Sequence, residues 1–298
     1  MERFCGDIDI AHNLCHALPA TSRAYRVVTV HDLSVFRHPE THTPRTVEVQ
    51  TTLLRQSVAK ADHLIAVSEF TKQELIDVLD ADPDSITVVP NGVNIEAFQG
   101  ELDEDAFQEI RNKLGLNDQY FMYLGSIEPR KNVIRLVETY ALLRDRLAEC
   151  PKLLIAGNPA WGSAPALDAI EQNTKNGDII QAGYLDRADV IALLRNAAAC
   201  VYPSLYEGFG LPVLEAMAAE TPVIASDTPA IAEVADGAAL LVPPEDTGAL
   251  ADAMHDIIKR RSTDRITRGL HRARELTWDK SAARLAACYQ HVANRGMM

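Results

Sequence analysis

The sequence lacks the features that mark several common classes of protein. Its 298 residues contain five cysteines, which are scattered and show no metal-ligand spacing, so neither a disulfide framework nor a zinc site is indicated. Basic residues are outnumbered, 29 Lys and Arg against 42 Asp and Glu, and the net charge of −13 argues against nucleic acid as a partner. No apolar run approaches the roughly 18 residues that span a bilayer. Because the first residues are too acidic for a signal peptide, we expect a cytoplasmic protein.

What is present is typical of a globular chain long enough for two domains, with 47% apolar and 24% charged residues. The negative charge is unevenly distributed. Residues 1–60 hold seven basic and six acidic residues, a charge of +1, which leaves −14 for the remainder. A neutral first segment beside an acidic body is compatible with peripheral membrane contact at the inner face, although chance often produces such a distribution.

Short apolar runs alternate with helical segments along the chain, which predicts an α/β fold with parallel sheets. In the first part the runs predict four strands, at residues 8–11, 26–30, 63–67 and 86–89. In the second part they predict six, at residues 120–124, 152–156, 178–182, 199–202, 222–225 and 239–242. We expect residues 1–97 with a returning last helix, in 279–298, to form one domain and residues 98–278 to form another.

The stretch from Tyr202 to Glu215 carries the strongest functional signal. A predicted buried strand ends at Tyr202, and a segment of strong helix formers begins at Pro212, a residue suited to the first helical turn. Between them, Glu207-Gly-Phe-Gly210 is a turn whose glycines let a ligand approach the backbone, and the helix N-terminus that follows suits a phosphate. Glu207 and Glu215 offer acceptors for sugar or ribose hydroxyls. The combination indicates a nucleotide sugar.

Two further predicted strands end in side chains that suit such a ligand. The loop Gly125-Ser-Ile-Glu-Pro-Arg-Lys-Asn132 supplies Arg130 and Lys131, counter-charges for a pyrophosphate in an acidic chain. Near the start of a helix these cations oppose the helix dipole, which favours a ligand over two merely exposed basic residues. His31 also ends a strand, and by itself it fits a structural role as well as a functional one.

The pattern Glu-x7-Glu within Glu207-Gly-Phe-Gly-Leu-Pro-x-Leu-Glu215-Ala resembles the retaining glycosyltransferases of family 4. The resemblance implies the GT-B fold, in which two Rossmann-like doubly wound domains face a cleft; the N-terminal one looks incomplete here. It also implies transfer of a hexose from a nucleotide diphosphate sugar to a glycan or lipid-linked acceptor in surface polysaccharide synthesis. The run His31-Asp-Leu-Ser is most similar to mannosyl- or rhamnosyl-type members. GDP-mannose is therefore the favoured donor, with UDP- and ADP-sugars as alternatives.

The same resemblance implies roles for individual residues. Lys131 and Arg130 would stabilise the departing diphosphate, while Ser126 stands where many members carry an arginine. Glu215 would hold the donor ribose, and Glu207 with His31 would hold the transferred sugar. Backbone N–H groups of the glycine turn would bind the phosphates, from Gly208, Phe209, Gly210 and Leu211. No metal or cofactor is expected, and the four Asp-x-Asp pairs are attributed to the acidic composition.

Two alternatives from other classes remain. Only about four strands are predicted in the first domain, so the chain could be a nucleotide-sugar-binding protein that is inactive or completed by a complementary N-terminal chain. A nicotinamide oxidoreductase is disfavoured, because its Gly-x-Gly-x-x-Gly motif has its nearest match in Gly208-Phe-Gly-Leu-Pro-Val213, which lacks the third glycine.

Overall fold

The computed structural model of the chain describes residues 8–21, 23–116, 119–260 and 262–295. Its contacts divide the chain into two units. The first unit combines Met1–Gly92, Glu207–Phe209 and Leu276–Met298, and the second combines Val93–Tyr206 with Gly210–Glu275. These bounds differ by a few residues from the predicted borders at 97/98 and 278/279. The short segment 207–209, which the sequence assigned to the second domain, groups with the first unit.

The secondary structure alternates strands and helices along the whole chain. The strands are β1 (Ile10–Asn13), β2 (Tyr25–Val30), β3 (His63–Ala66), β4 (Ile86–Val88), β5 (Tyr120–Leu124), β6 (Lys152–Ala156), β7 (Ile179–Gly183), β8 (Ala199–Tyr202), β9 (Val223–Ser226) and β10 (Leu240–Val242). The helices are α1 (Ser34–Arg37), α2 (Pro44–Lys60), α3 (Glu69–Leu79), α4 (Ile95–Gln99), α5 (Glu104–Lys113), α6 (Val133–Arg146), α7 (Ala164–Asn173), α8 (Arg187–Asn196), α9 (Leu211–Ala218), α10 (Pro229–Ala235), α11 (Thr247–Lys259), α12 (Thr263–Glu275) and α13 (Trp278–Arg295). Short 3-10 turns occupy Pro39–Thr41, Pro83–Ser85 and Pro129–Lys131.

The first unit contains a parallel sheet in the order β1-β2-β3-β4. Alternate residues of its strands point to opposite faces, as the two-residue period requires. One face packs on α2 and α3 in a core that includes Val28, Leu64, Leu54 and Leu75. The other face packs on α13 through Val27, Ile65, Cys288 and Val292. The last helix, which the sequence expected to return to the first domain, therefore covers one face of its sheet.

The second unit contains a six-stranded parallel sheet in the order β10-β9-β8-β5-β6-β7. From β5 the chain winds outward through β6 and β7, then crosses back to β8 and winds the other way. The order therefore reverses between β5 and β8, and ligands of such sheets bind at the carboxyl ends of the strands beside a reversal. The two loops that the sequence singled out, 125–132 and 203–210, follow β5 and β8. The prediction of parallel, Rossmann-like α/β units is confirmed.

The acidic residues 101–109 include the start of α5, whose first turn is capped by Asp103 through a 3.0 Å hydrogen bond from the Ala106 N–H. Phe107 and Ile110 are buried. Their three-residue spacing places both on one helical face, and the charge of the neighbouring residues obscured that spacing. In the part of the chain that the structure describes, no helix has the length and apolar content needed to cross a membrane.

Candidate functional site

The loop after β5 is tied to the loop after β8 within the second unit. The backbone N–H of Leu205 and the hydroxyl of Ser204 both donate to the carbonyl oxygen of Arg130, at 2.8 and 3.1 Å. The Asn132 amide donates to the carbonyl of Pro203 at 3.1 Å. Asn132 itself adopts a left-handed conformation, φ 59°, where α6 begins. The two loops therefore form one braced structure where the strand order reverses.

Lys131 is held at the end of β8. Its ammonium donates a 2.8 Å hydrogen bond to the Tyr202 hydroxyl and lies 5.4 Å from the centre of that ring. Tyr202 in turn stacks on Tyr123 of β5, with ring centres 6.2 Å apart. Both tyrosines are fully buried, so the cation is positioned by rigid aromatic groups. An ammonium fixed beside a strand end is a suitable partner for a phosphate.

Arg130 and Ser126 have structural contacts that the sequence did not anticipate. Arg130 Nη1 donates to the Tyr206 carbonyl at 2.8 Å, and Nη2 donates to the Glu128 carboxylate at 3.1 Å. The Arg130 side chain is 13% exposed. The Ser126 carbonyl accepts a 2.8 Å hydrogen bond from the Tyr123 hydroxyl. Arg130 thus braces the loop, and its predicted contact with a donor phosphate, like that of Ser126, stays a prediction.

A pocket of about 460 Å³ opens at the carboxyl ends of β5, β6 and β7 in the second unit. Its floor is close-packed backbone: Gly157 has a φ of +147°, and a Cβ there would overlap the carbonyl oxygen of Gly125. The pocket wall includes the exposed ring of Tyr184 and the charged side chains Arg187 and Glu215. Apolar walls with a few polar groups are typical of small-molecule sites.

Glu215 lies in α9 and faces this pocket. Helix α9 starts after Gly210, whose φ of +100° favours glycine. The carboxylate forms a 2.6 Å ion pair with Arg187, and its side chain is 16% exposed. Burial raises the pKa of the neighbouring Cys200 thiol to about 12, and the negative charge of Glu215 adds to that shift. The sequence analysis identified Glu215 but not Arg187. The feature that could have identified Arg187 is a positive charge at the first residue of a helix.

The segment 207–209 belongs to the first unit. The carbonyl of Gly208 accepts hydrogen bonds from the hydroxyls of Ser68, at 2.6 Å, and Thr71, at 3.1 Å. A Cβ on Gly208 would overlap the carbonyl oxygen of His31, so only glycine fits there. Ser68 also caps α3 by accepting from the Thr71 N–H at 3.0 Å. The first unit thus brings the glycine turn against His31; Glu207 and Phe209, its flanking residues, are buried.

His31 is exposed at the end of β2. Its Nε2 lies 2.8 Å from the Leu14 carbonyl, so the tautomer that makes this bond carries its proton on Nε2 and leaves Nδ1 as an acceptor. The ring of His16 stands edge-on to it, with centres 6.3 Å apart. Burial lowers the pKa of His16. In the same region Arg37 forms an ion pair with Glu74, at 2.7 Å.

Within the described ranges, no group of three His, Cys, Asp or Glu side chains could hold a metal ion. Members of the Asp-x-Asp pairs have local roles: Asp82 and Asp103 accept hydrogen bonds from backbone N–H groups at the starts of helical turns. Asp80 ends α3 in a left-handed conformation. Asp7, in the first pair, lies outside the described residues.

Two Rossmann-like α/β units with parallel sheets are the architecture of the GT-B glycosyltransferases. A structure of a glycosyltransferase from Rickettsia africae matches with a TM-score of 0.76 and 18% identity, over 98% of this chain and 78% of that one. The family model "Glycosyl transferases group 1" matches residues 106–269, and the model "Glycosyltransferase Family 4" matches residues 2–97. The chain belongs to family 4 of the glycosyltransferases.

Curated relatives agree with this assignment. O-antigen chain mannosyltransferase B of Escherichia coli is 30% identical over 89% of this chain and 70% of its own length. O-antigen chain mannosyltransferase RfbU of Salmonella typhimurium is 26% identical over 81% of this chain and 63% of its own length. The chain therefore spans about two thirds of the length of these relatives.

Proposed function

We propose that the chain is a retaining glycosyltransferase that moves a hexose, with mannose favoured, from a nucleoside diphosphate sugar to a glycan or lipid-linked acceptor of a surface polysaccharide. The observation that carries the proposal is the arrangement in the second unit. Lys131 is fixed at the end of β8, and Glu215 lines the pocket at the carboxyl ends of β5, β6 and β7, so both lie at strands beside the reversal of strand order. A cation for the diphosphate and a carboxylate for hydroxyl groups are what a nucleotide sugar requires.

The favoured donor is GDP-mannose. Two relatives that align with most of this chain bear the name O-antigen chain mannosyltransferase, which supports mannose as the transferred sugar and O-antigen-like glycans as the acceptor class. UDP- and ADP-sugars are the alternatives, and calorimetry with GDP, UDP and ADP distinguishes among the three nucleotides.

In the proposed reaction the bond between the anomeric carbon and the diphosphate oxygen breaks, and the acceptor hydroxyl forms a bond on the same face. The departing diphosphate takes up the hydroxyl proton, so no protein nucleophile is needed for retention. Lys131 and backbone N–H groups at residues 208–211 stabilise the charge that develops on the diphosphate. His31 and Glu207 position the sugar, and Glu215 accepts hydrogen bonds from the ribose.

Titration calorimetry with GDP, UDP and ADP tests the proposal. We expect one nucleotide to bind with micromolar affinity, and Lys131→Ala to weaken that binding about 100-fold. Lys175→Ala is the matched control, because this lysine is exposed on the second unit and pairs only loosely with Asp145, at 4.0 Å. Transfer assays with the matching sugar nucleotide follow, with the anomeric configuration of the product read by NMR.

Two outcomes would count against the proposal. A folded chain that binds none of the three nucleotides would contradict the proposed donor site. A chain that binds one nucleotide but transfers no sugar would favour a nucleotide-sugar-binding protein that is inactive or depends on a complementary chain.

A further inference from the structure

Arg187 occupies a position that its own helix does not explain. It is the first residue of α8, where a positive charge opposes the helix dipole, yet it lines the pocket of the second unit. Its Nη1 forms a charge-assisted hydrogen bond of 2.6 Å with Oε1 of Glu215. That bond leaves the second carboxylate oxygen, Oε2, for a ligand.

The guanidinium also contacts an aromatic ring. Its Cζ lies 4.9 Å from the centre of the Phe98 ring, a contact of the cation–π type. Phe98 is fully buried in α4. The Arg187 side chain is 53% exposed and the Glu215 side chain 16%. The partly exposed arginine therefore contacts both a buried aromatic ring and the carboxylate at the pocket wall.

We propose that Arg187 is a positioning residue that gives the site its selectivity for a ribose. By fixing the Glu215 carboxylate in one orientation, it removes the rotational freedom that the side chain would otherwise lose on binding. The oriented carboxylate accepts hydrogen bonds from the 2′- and 3′-hydroxyls, and a nucleotide without them leaves it partly unsatisfied. This inference rests on the proposed donor site and deepens it.

The test compares two ligands on three proteins by calorimetry. The ligands are the nucleoside diphosphate that the wild-type chain prefers and its 2′,3′-dideoxy analogue. The proteins are the wild type, Arg187→Met and the matched control Arg195→Met. Arg195 lies at the other end of α8 and donates to the carbonyl of Gly100.

The wild type is expected to prefer the ribonucleotide by about 30-fold, the usual effect of hydrogen bonds to a charged group. In Arg187→Met the preference falls to about threefold, because ribonucleotide affinity drops about tenfold while binding of the analogue hardly changes. Arg195→Met keeps the wild-type preference. Arg187→Lys, which retains the charge without the planar group, gives an intermediate preference and serves if the methionine variant does not fold.

Two results would overturn the inference while leaving the donor site intact. Equal weakening of both ligands in Arg187→Met would mean that the arginine contacts the diphosphate or shapes the pocket. An unchanged preference would mean that the ion pair has no part in ribose recognition. A folded wild-type chain that binds neither ligand would remove the proposed function, and this inference with it.

Discussion

The two units differ in the number of histidines that they contain. Seven of the nine histidines lie in the first unit, and burial lowers the pKa of His12 and His16 there. Burial raises the pKa of thiols in both units: that of Cys288 in the first, and in the second that of Cys150 to about 11 and that of Cys200 to about 12. These thiols stay neutral in mild acid, so the comparison depends on the two histidines of the first unit.

The candidate site residues are also positioned in different ways. In the second unit, contacts between side chains position the candidate residues: Lys131 donates a hydrogen bond to Tyr202, and Arg187 donates one to Glu215. In the first unit, the glycine turn at Gly208 is placed by backbone that approaches the His31 carbonyl too closely for a side chain. We therefore expect substitutions to separate into those that weaken nucleotide binding and those that affect folding or transfer.

The largest effect is expected at the backbone contact. Gly208→Ala would place a methyl group into the His31 carbonyl, and relieving that overlap should cost the first unit about 3 kcal/mol, the upper range for overpacking. Urea unfolding monitored by circular dichroism measures the loss. Gly248→Ala is the control, since a Cβ there meets only a side-chain oxygen of Asp246, at 3.3 Å. Equal stabilities for the two variants would show that the contact is not rigid.

The second prediction separates binding from transfer. Lys131→Ala should weaken nucleotide binding about 100-fold, because a charge-assisted contact with the diphosphate is lost. His31→Ala should change nucleotide affinity by less than about twofold while lowering the transfer rate about 100-fold, through poorer positioning of the sugar. Calorimetry and initial rates give the two quantities. A similar loss of nucleotide affinity in both variants would contradict the division.

The third prediction concerns ion pairs of different burial. Arg37 binds Glu74 through two atoms, Nε at 2.8 Å and Nη2 at 2.7 Å, and the Glu74 side chain is only 8% exposed. Arg37→Met should lower the free energy of unfolding by about 2 kcal/mol, because the carboxylate stays buried without this partner. In the second unit, removal of the exposed partner of Asp264 by Arg268→Met should cost less than about 0.5 kcal/mol. Comparable costs for the two variants would mean that burial does not set the strength of the pair.

The smallest effect is a pH dependence of the first unit. Because burial lowers the pKa of His12 and His16 in the folded state, the unfolded state binds more protons as the pH falls below the ordinary value of 6.5. The stabilisation from the neutral rings is complete above that value and is lost progressively below it. Thermal unfolding between pH 7.5 and 5 should show this loss of stability, and the loss should be smaller in His12→Gln than in the wild type.

His255→Gln in α11 is the matched control for that experiment, because it removes an imidazole of the second unit. A wild-type chain whose stability does not change across this range would contradict the assignment.

The sequence alone determined the α/β class, the parallel sheets and the two loops that follow β5 and β8. These features depend on short-range patterns: buried strands appear as apolar runs, and helix starts and ligand turns appear as Pro212, Gly208 and Gly210. The first strand was placed two residues early, at 8–11 rather than Ile10–Asn13, because its few apolar residues leave the register undefined. The family pattern from Glu207 to Glu215, the loop at 125–132 and the strand end at His31 supplied the candidate site residues.

Only the tertiary structure decided which partner each charged or polar side chain takes. Arg187 meets Glu215 across 28 residues of sequence, and Ser68 reaches the Gly208 carbonyl across 140. Such pairs depend on the order in which strands join a sheet, which local periodicity does not encode. Arg130 illustrates the consequence: its sequence context suggested a ligand for phosphate, while the fold gives it the Tyr206 carbonyl to bind. A buried guanidinium donates to the acceptors that the fold places near it, because its burial without hydrogen bonds would raise the free energy of the folded state.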